Sequence, residues 1–195
     1  MTFSRLAAVA LIAASTSPAF ASSFTVDFEQ QWAYGTDVGD AYASQGVSFV
    51  GVGGLSNDAD FTYYSGAPSP LGVGYAYTDT LTSAAYMNVG AGVPGSLSFA
   101  YSTPTALAGA IKAYSGLNGT GELLGTFDFI ATGADYGTWN TATFEFAGLA
   151  KSFDLSGSAN MAAIDDISAV PEPGTIALML AGSAVLMLQR KRRRG

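Results

Sequence analysis

From residue 24 onward, short runs of the chain alternate apolar and polar side chains. Phe24-Thr25-Val26-Asp27-Phe28-Glu29 is one such run, and Ser96-Leu97-Ser98-Phe99-Ala100-Tyr101 is another. Thr141-Ala142-Thr143-Phe144-Glu145-Phe146 and Ser152-Phe153-Asp154-Leu155 repeat the pattern. A period of two puts successive side chains on opposite faces of a strand, so each run reads as a half-buried β-strand. Segments 47–52, 61–64, 85–89, 107–114, 123–131 and 159–168 are strand candidates too, rich in residues that suit a pleated surface. Gly53-Gly54, Pro68-Ser69-Pro70, Val93-Pro94-Gly95, Asn118-Gly119 and Gly157 punctuate the series. About ten short strands at regular spacing predict an all-β, antiparallel β-sandwich, best matched by a jelly roll. Alternation assigns Phe28, Phe49, Phe99, Phe127, Phe129, Phe144, Phe146 and Phe153 to its core.

The two ends break this pattern. Near the start, Arg5 precedes an apolar run over residues 6–14, and Ala19-Phe20-Ala21 supplies the small-x-small signature of a signal-peptidase site. Cleavage after Ala21 is expected. Near the other end, Pro171-Glu172-Pro173-Gly174 leads into an apolar stretch over residues 175–188, followed by Gln189 and the basic tail Arg190-Lys191-Arg192-Arg193-Arg194. As a helix, residues 175–189 would span roughly 22 Å, a short transmembrane segment that bilayer thinning and snorkelling arginines accommodate. The basic cluster stays cytoplasmic, which puts everything before Pro171 on the far side of the membrane. The two prolines keep Pro-Glu-Pro extended and accessible there.

That layout resembles the PEP-CTERM sorting signal of Gram-negative bacteria that make extracellular polysaccharide. The resemblance implies recognition by exosortase, an integral-membrane protease, and cutting near Pro171, Glu172 and Pro173. It also implies an inner-membrane-anchored precursor that is exported to the cell surface or beyond. The chain thus divides into a leader (1–21), a β-sandwich domain (22–170) and a sorting signal (171–195).

The central segment carries two basic residues, Lys112 and Lys151, against fourteen acids, a net charge of −12. Such a surface repels nucleic acid and anionic lipid and attracts divalent cations, although it also serves plain solubility. Cysteine is absent from the sequence, so the exported domain is held by core burial and no disulfides. Histidine is absent as well, which removes Ser-His-Asp and Cys-His relays and imidazole-ligated zinc. Gly51-Val52-Gly53-Gly54 lacks the helix and lysine of a nucleotide loop. Only a two-carboxylate glycosidase mechanism survives this elimination.

Two features carry candidate chemistry. Asp27 and Glu29 lie on one face of the first predicted strand, and Ile164-Asp165-Asp166-Ile167 places two acids in the last. A jelly roll commonly sets its first and last strands side by side. The four carboxylates then meet as hard oxygen donors suited to Ca²⁺, or else they cap a strand end and face solvent. Phe28-Glu29 and Ile164-Asp165-Asp166-Ile167 resemble the ends of MAM-like and carbohydrate-binding jelly-roll modules, which implies a structural calcium. The second feature is aromatic. Trp32, Tyr34, Tyr42, Tyr63, Tyr64, Tyr75, Tyr77, Tyr136 and Trp139 lie in or beside glycine-rich, loop-like segments. Trp32, Tyr64 and Trp139 are the expected glycan contacts. The leading expectation is a non-catalytic surface or matrix protein associated with exopolysaccharide. A carbohydrate-binding module is the alternative, and a carboxylate glycosidase follows behind it.

Overall fold

The computed structural model describes residues 23–33, 35–56, 64, 66–169 and 182, and within them the chain is built of antiparallel β-structure. The strands are β1 (Phe24–Val26), β2 (Val47–Val50), β3 (Val52–Ser56), β4 (Gly72–Ala76), β5 (Tyr86–Ser102), β6 (Leu107–Tyr114), β7 (Leu123–Phe129), β8 (Asn140–Asp154) and β9 (Ala163–Ala169). Their order is β3-β4-β9-β5-β8-β6-β7, with β1 added to β9 and β2 to β5. The leader, the Pro-Glu-Pro motif, the expected membrane segment except residue 182, and residues 61–63 of the expected strand 61–64 lie outside the described residues. Among the described residues no helix is long and apolar enough to cross a membrane.

Two long strands carry the sheet around its corner. The first residues of β5 pair with β2 and with the end of β8, Tyr86 opposite Asp154. Register shifts follow between Asn88 and Val93 and between Pro94 and Ser96. Beyond them β5 pairs with the start of β8, Tyr101 opposite Asn140, and with β9 on its other edge. Extra residues in one strand bend it and tighten its twist, and Pro94 has no N–H to give to a ladder. Segments 85–89 and 96–101, expected as two strands, are therefore one strand with bulges. Segments 141–146 and 152–155 likewise fuse into β8. Segment 47–52 divides instead, because Gly51 at φ +61 turns the chain so that β2 joins β5 and β3 joins β4.

The core forms where the alternation placed it. Phe28, Phe49, Phe99, Phe129, Phe144 and Phe153 are buried, and Phe127 and Phe146 pack half-buried against them. Each fully buried ring contributes about 1.5–3 kcal/mol relative to exposure. Tyr101 stacks on Phe129 at 4.0 Å, and its hydroxyl accepts hydrogen bonds from Asn140 Nδ2 and the Ile130 amide. Asn118-Gly119 forms the turn between β6 and β7, both residues at positive φ.

Strand β4 and the Gly53-Gly54 pair depart from expectation for one reason. Gly53 and Gly54 are strand residues, not a turn, and Gly72-Val73-Gly74-Tyr75-Ala76 is a strand despite its glycines. A Cβ at Gly54 would enter the Trp32 ring, and one at Gly74 would enter the Phe28 ring. These glycines are seats for aromatic rings from the 27–32 segment. Gly74→Ala is therefore expected to cost about 1–3 kcal/mol of stability in urea denaturation. Gly90→Ala, where the added Cβ meets open space, is the control; equal midpoints for the two variants would contradict the seating.

Candidate functional site

The first acidic pair leaves the sheet just after β1. Phe28 takes φ +52 and sends its ring into the core against Tyr42, at 5.9 Å, and Phe49, at 6.1 Å. Asp27 and Glu29 stay half-buried on either side. Asp27 Oδ1 accepts from the Tyr42 hydroxyl at 3.2 Å and from the Glu29 amide at 3.3 Å. Glu29 Oε1 accepts from the amides of Leu71 (2.7 Å) and Gly72 (3.2 Å).

The second pair sits on a bulge of β9. Ala100 of β5 faces Asp165 and Ser98 faces Ser168, so the register slips between them, and Asp166 takes φ +49. Neighbouring residues on a regular strand point to opposite faces. Here the bulge lets both carboxylates reach one serine. Asp165 Oδ2 accepts from the Ser69 amide at 3.0 Å, and Asp166 Oδ1 accepts from Ser69 Oγ at 2.6 Å. Asp165 Oδ1 also accepts from the Asp166 amide at 2.8 Å. Loop residues 69–72 are thus fastened to Glu29, Asp165 and Asp166 together, while Asp27 is engaged by the Tyr42 hydroxyl and the Glu29 amide.

The electrostatics here are one-sided. Asp165 is fully buried, at 0% exposure. Burial pushes its carboxyl up to about 7; the Ser69 and Asp166 amides oppose the rise, while the charges of Asp166 and Glu29 add to it. Among the described residues no basic side chain contributes there; Lys112 lies on β6 and Lys151 on β8. The Tyr42 hydroxyl is held well above its ordinary value, first by burial and then by the Asp27 charge, with Asp165 adding to it. The donor set is all hard oxygen, as a calcium site requires. Among the described residues, however, no three acids already stand as a metal cage. The oxygens are instead engaged by amides and hydroxyls of residues 42 and 69–72.

The three aromatics expected to stack on sugars are packing residues. Trp32 Nε1 donates to the Phe28 carbonyl at 2.9 Å, its amide donates to Ser56 Oγ at 2.6 Å, and its ring covers Gly54. Tyr64 is buried against Tyr136 (5.6 Å) and Trp139 (6.3 Å) in a second cluster with Ala67, Val73 and Ala163. Trp139 is half-buried there, and its Nε1 has no hydrogen-bond partner.

Other tyrosines line the open surface. A groove with a cavity volume of about 460 Å³ lies between Asp37, Gly51, Tyr77, Thr82, Ser83 and Tyr86. The Tyr77 hydroxyl donates to Asp37 Oδ1, which lifts the phenol above its ordinary value, and Asp37 itself bridges to Gly53. A second hollow of about 240 Å³ is lined by Leu55, Tyr64, Tyr75, Tyr136, Asn160 and Met161. The Tyr75 and Tyr77 rings are 6.1 Å apart and join the two. Tyr75 lies on β4 and Tyr77 just past its end, so their pairing becomes visible only once β4 is placed.

Comparison with known proteins adds the following. Residues 169–194 match the PEP-CTERM protein-sorting motif. Among solved structures, the chain is similar to the K1 cleaved adhesin domain of Lys-gingipain from Porphyromonas gingivalis W83, with 14% identity and a TM-score of 0.47 over 77% of this chain and 98% of that one. It is similar to a family 6 carbohydrate-binding module, with 14% identity and a TM-score of 0.41 over 76% of this chain and 94% of that one. It is also similar to CBM35 from Paenibacillus barcinonensis, with 15% identity and a TM-score of 0.42 over 76% of this chain and 99% of that one. No curated protein matches the chain.

The buried acid makes stability depend on pH in a definite direction. Asp165 rises from 3.8 to about 7 on folding, so the folded state holds its proton to higher pH than the unfolded chain. Its contribution is complete below about pH 4 and is lost as pH rises through about 7, on the order of 3–4 kcal/mol in total. Urea denaturation between pH 4 and 8 is expected to show wild type losing stability relative to Asp165→Asn across this window. Parallel profiles for the two proteins would contradict the assignment.

Proposed function

We propose that this chain is the precursor of an exported, non-catalytic protein of a Gram-negative cell surface or extracellular matrix. Exosortase processes it at Pro171-Glu172-Pro173, and the β-sandwich then associates with extracellular polysaccharide. The observation that carries this reading is the sorting motif over residues 169–194 and its position. Strand β9 ends at Ala169, paired with Phe24 of β1, so the sandwich closes directly before Pro171. A cut at the motif leaves every strand in place. Against a two-carboxylate mechanism stands the burial of Asp165, which keeps that acid from a scissile sugar. Two-carboxylate hydrolysis needs both acids open to the substrate and a water.

Replacing Glu172 by Ala is expected to hold most of the protein in the inner membrane at full length, as read by immunoblot of membrane and surface fractions. Normal maturation of this variant would overturn the export reading.

Calcium belongs to the same proposal as a structural ligand of Asp27, Glu29, Asp165 and Asp166. It would tie the 27–29 segment, loop 69–72 and β9 together and do no chemistry. What favours it is buried negative charge with no cationic neighbour. A cation competes with the proton on Asp165, so millimolar Ca²⁺ is expected to raise Tm by several degrees at pH 8 and far less at pH 5. An unchanged melt on adding Ca²⁺ or chelator at pH 8 would remove the metal from the account.

A further inference from the structure

The two surface hollows lie side by side on one stretch of the domain. Tyr77 lines the larger, Tyr75 lines the smaller, and the rings meet at 6.1 Å with a 42° tilt. Beneath them the backbone is continuous and pinned. Asn160 Nδ2 donates to the Thr78 carbonyl at 2.9 Å, and the Asn160 amide donates to the Ala76 carbonyl at 2.9 Å. Tyr75 rests where a Cβ on Gly53 would stand, so the ring lies close over the sheet. Tyr86 also lines the larger hollow and Tyr136 the smaller. All four tyrosines are half-buried, and the Tyr75–Tyr77 pair links the two hollows into one tyrosine-lined track.

The polar groups beside this track are of a restricted kind. Asp37 presents a carboxylate on Tyr77, and Thr82 and Ser83 supply hydroxyls at the rim. Asp79 is fixed by the Leu81 and Thr82 amides. Leu81, 93% exposed, stands at the edge. Rings with hydroxyl and carboxylate neighbours suit a ligand that offers apolar C–H faces and many hydroxyls on one molecule. A domain charge of −12 disfavours ligands that carry acids of their own.

We infer that the Tyr86-Tyr77-Tyr75-Tyr136 track is the binding site for an extended, neutral polysaccharide chain, several sugars long, laid across both hollows. The inference rests on the polysaccharide association proposed above and gives it a location. That location is also well placed for an exported protein. Tyr75 pairs with Ala163 at the start of β9, whereas the sorting motif begins at the end of β9, about 20 Å further along the strand. A chain tethered through its C-terminal segment therefore holds the track at the far end of β9 from its tether.

The test uses the mature exported protein and its producing strain's own exopolysaccharide, hydrolysed to disaccharide and octasaccharide fragments, with neutral fragments separated from acidic ones by anion exchange. Isothermal titration is expected to show the neutral octasaccharide binding at least tenfold more tightly than the disaccharide. Tyr77→Ala and Tyr86→Ala should each weaken octasaccharide binding tenfold or more at unchanged Tm. Tyr77→Phe, which keeps the ring and drops the hydrogen bond to Asp37, should lose less. Equal affinity for both fragment lengths would overturn the extended site. Octasaccharide binding that survives both alanine changes would put the site elsewhere and leave the polysaccharide association standing. No binding by wild type of any neutral fragment would overturn site and association together, leaving the export route to the Glu172→Ala result.

Discussion

Strand β9 is the constraint on which the rest of the architecture depends. One of its edges is shared by β4, at Ala163 and Ile164, and by β1, at residues 167–169; the other is taken by β5. Three chain segments far apart in sequence are thus fixed by seven residues. Within that strand the bulge at Asp165 and Asp166 turns two acids toward one loop, and Ser69 answers both with its amide and its hydroxyl. Buried polar groups cost free energy unless they find partners, so the loop and the strand hold each other in place. Glu29 extends the same fastening to Leu71 and Gly72, which lead directly into β4.

This arrangement separates tasks along one strand. The end of β9 meets the start of β1, Ala169 opposite Phe24, where the sorting motif begins. The middle of β9 carries the acid cluster. Its beginning sits beneath the tyrosine surface through Ala162, Met161 and Asn160. Burial of Asp165 beside Asp166 and Glu29 makes the middle section the place where pH acts on stability. The groove beside Tyr77 is built on different elements, the 35–39 and 77–86 segments, and does not share those acids.

Much of this was legible in the sequence where the alternation was clean. Residues 107–114 read as a strand and form β6 with the same limits, and the alternating phenylalanines supply the core. The first and last strands lie side by side as the sandwich reading expects, β1 on β9. Three things were hidden. Strand β4 reads as loop because Gly72 and Gly74 lack side chains, and the reason they do lies in the Phe28 and Trp32 rings brought from another segment. The bulges that make β5 and β8 continuous look like breaks, since Gly92, Pro94 and Gly95 mark β5 and Gly148 marks β8. Trp32 and Trp139 looked like surface aromatics because glycines lie near them in sequence, yet Trp32 packs over the distant Gly54 and Trp139 against Tyr64. The Tyr75–Tyr77 pair shows itself only once β4 is placed.

Asp165 and Asp166 on β9, together with Glu29 after β1, clasp residues 69–72 and so couple that loop to the sheet. Amide hydrogen exchange of Ser69, Leu71 and Gly72, followed by NMR beside the amides of β9, measures this most directly. The account predicts slow exchange at all three loop amides, with opening free energies close to those of β9 and lowered together by Asp165→Ala. Exchange of the three at the rate of an open loop, while β9 stays protected, would contradict it.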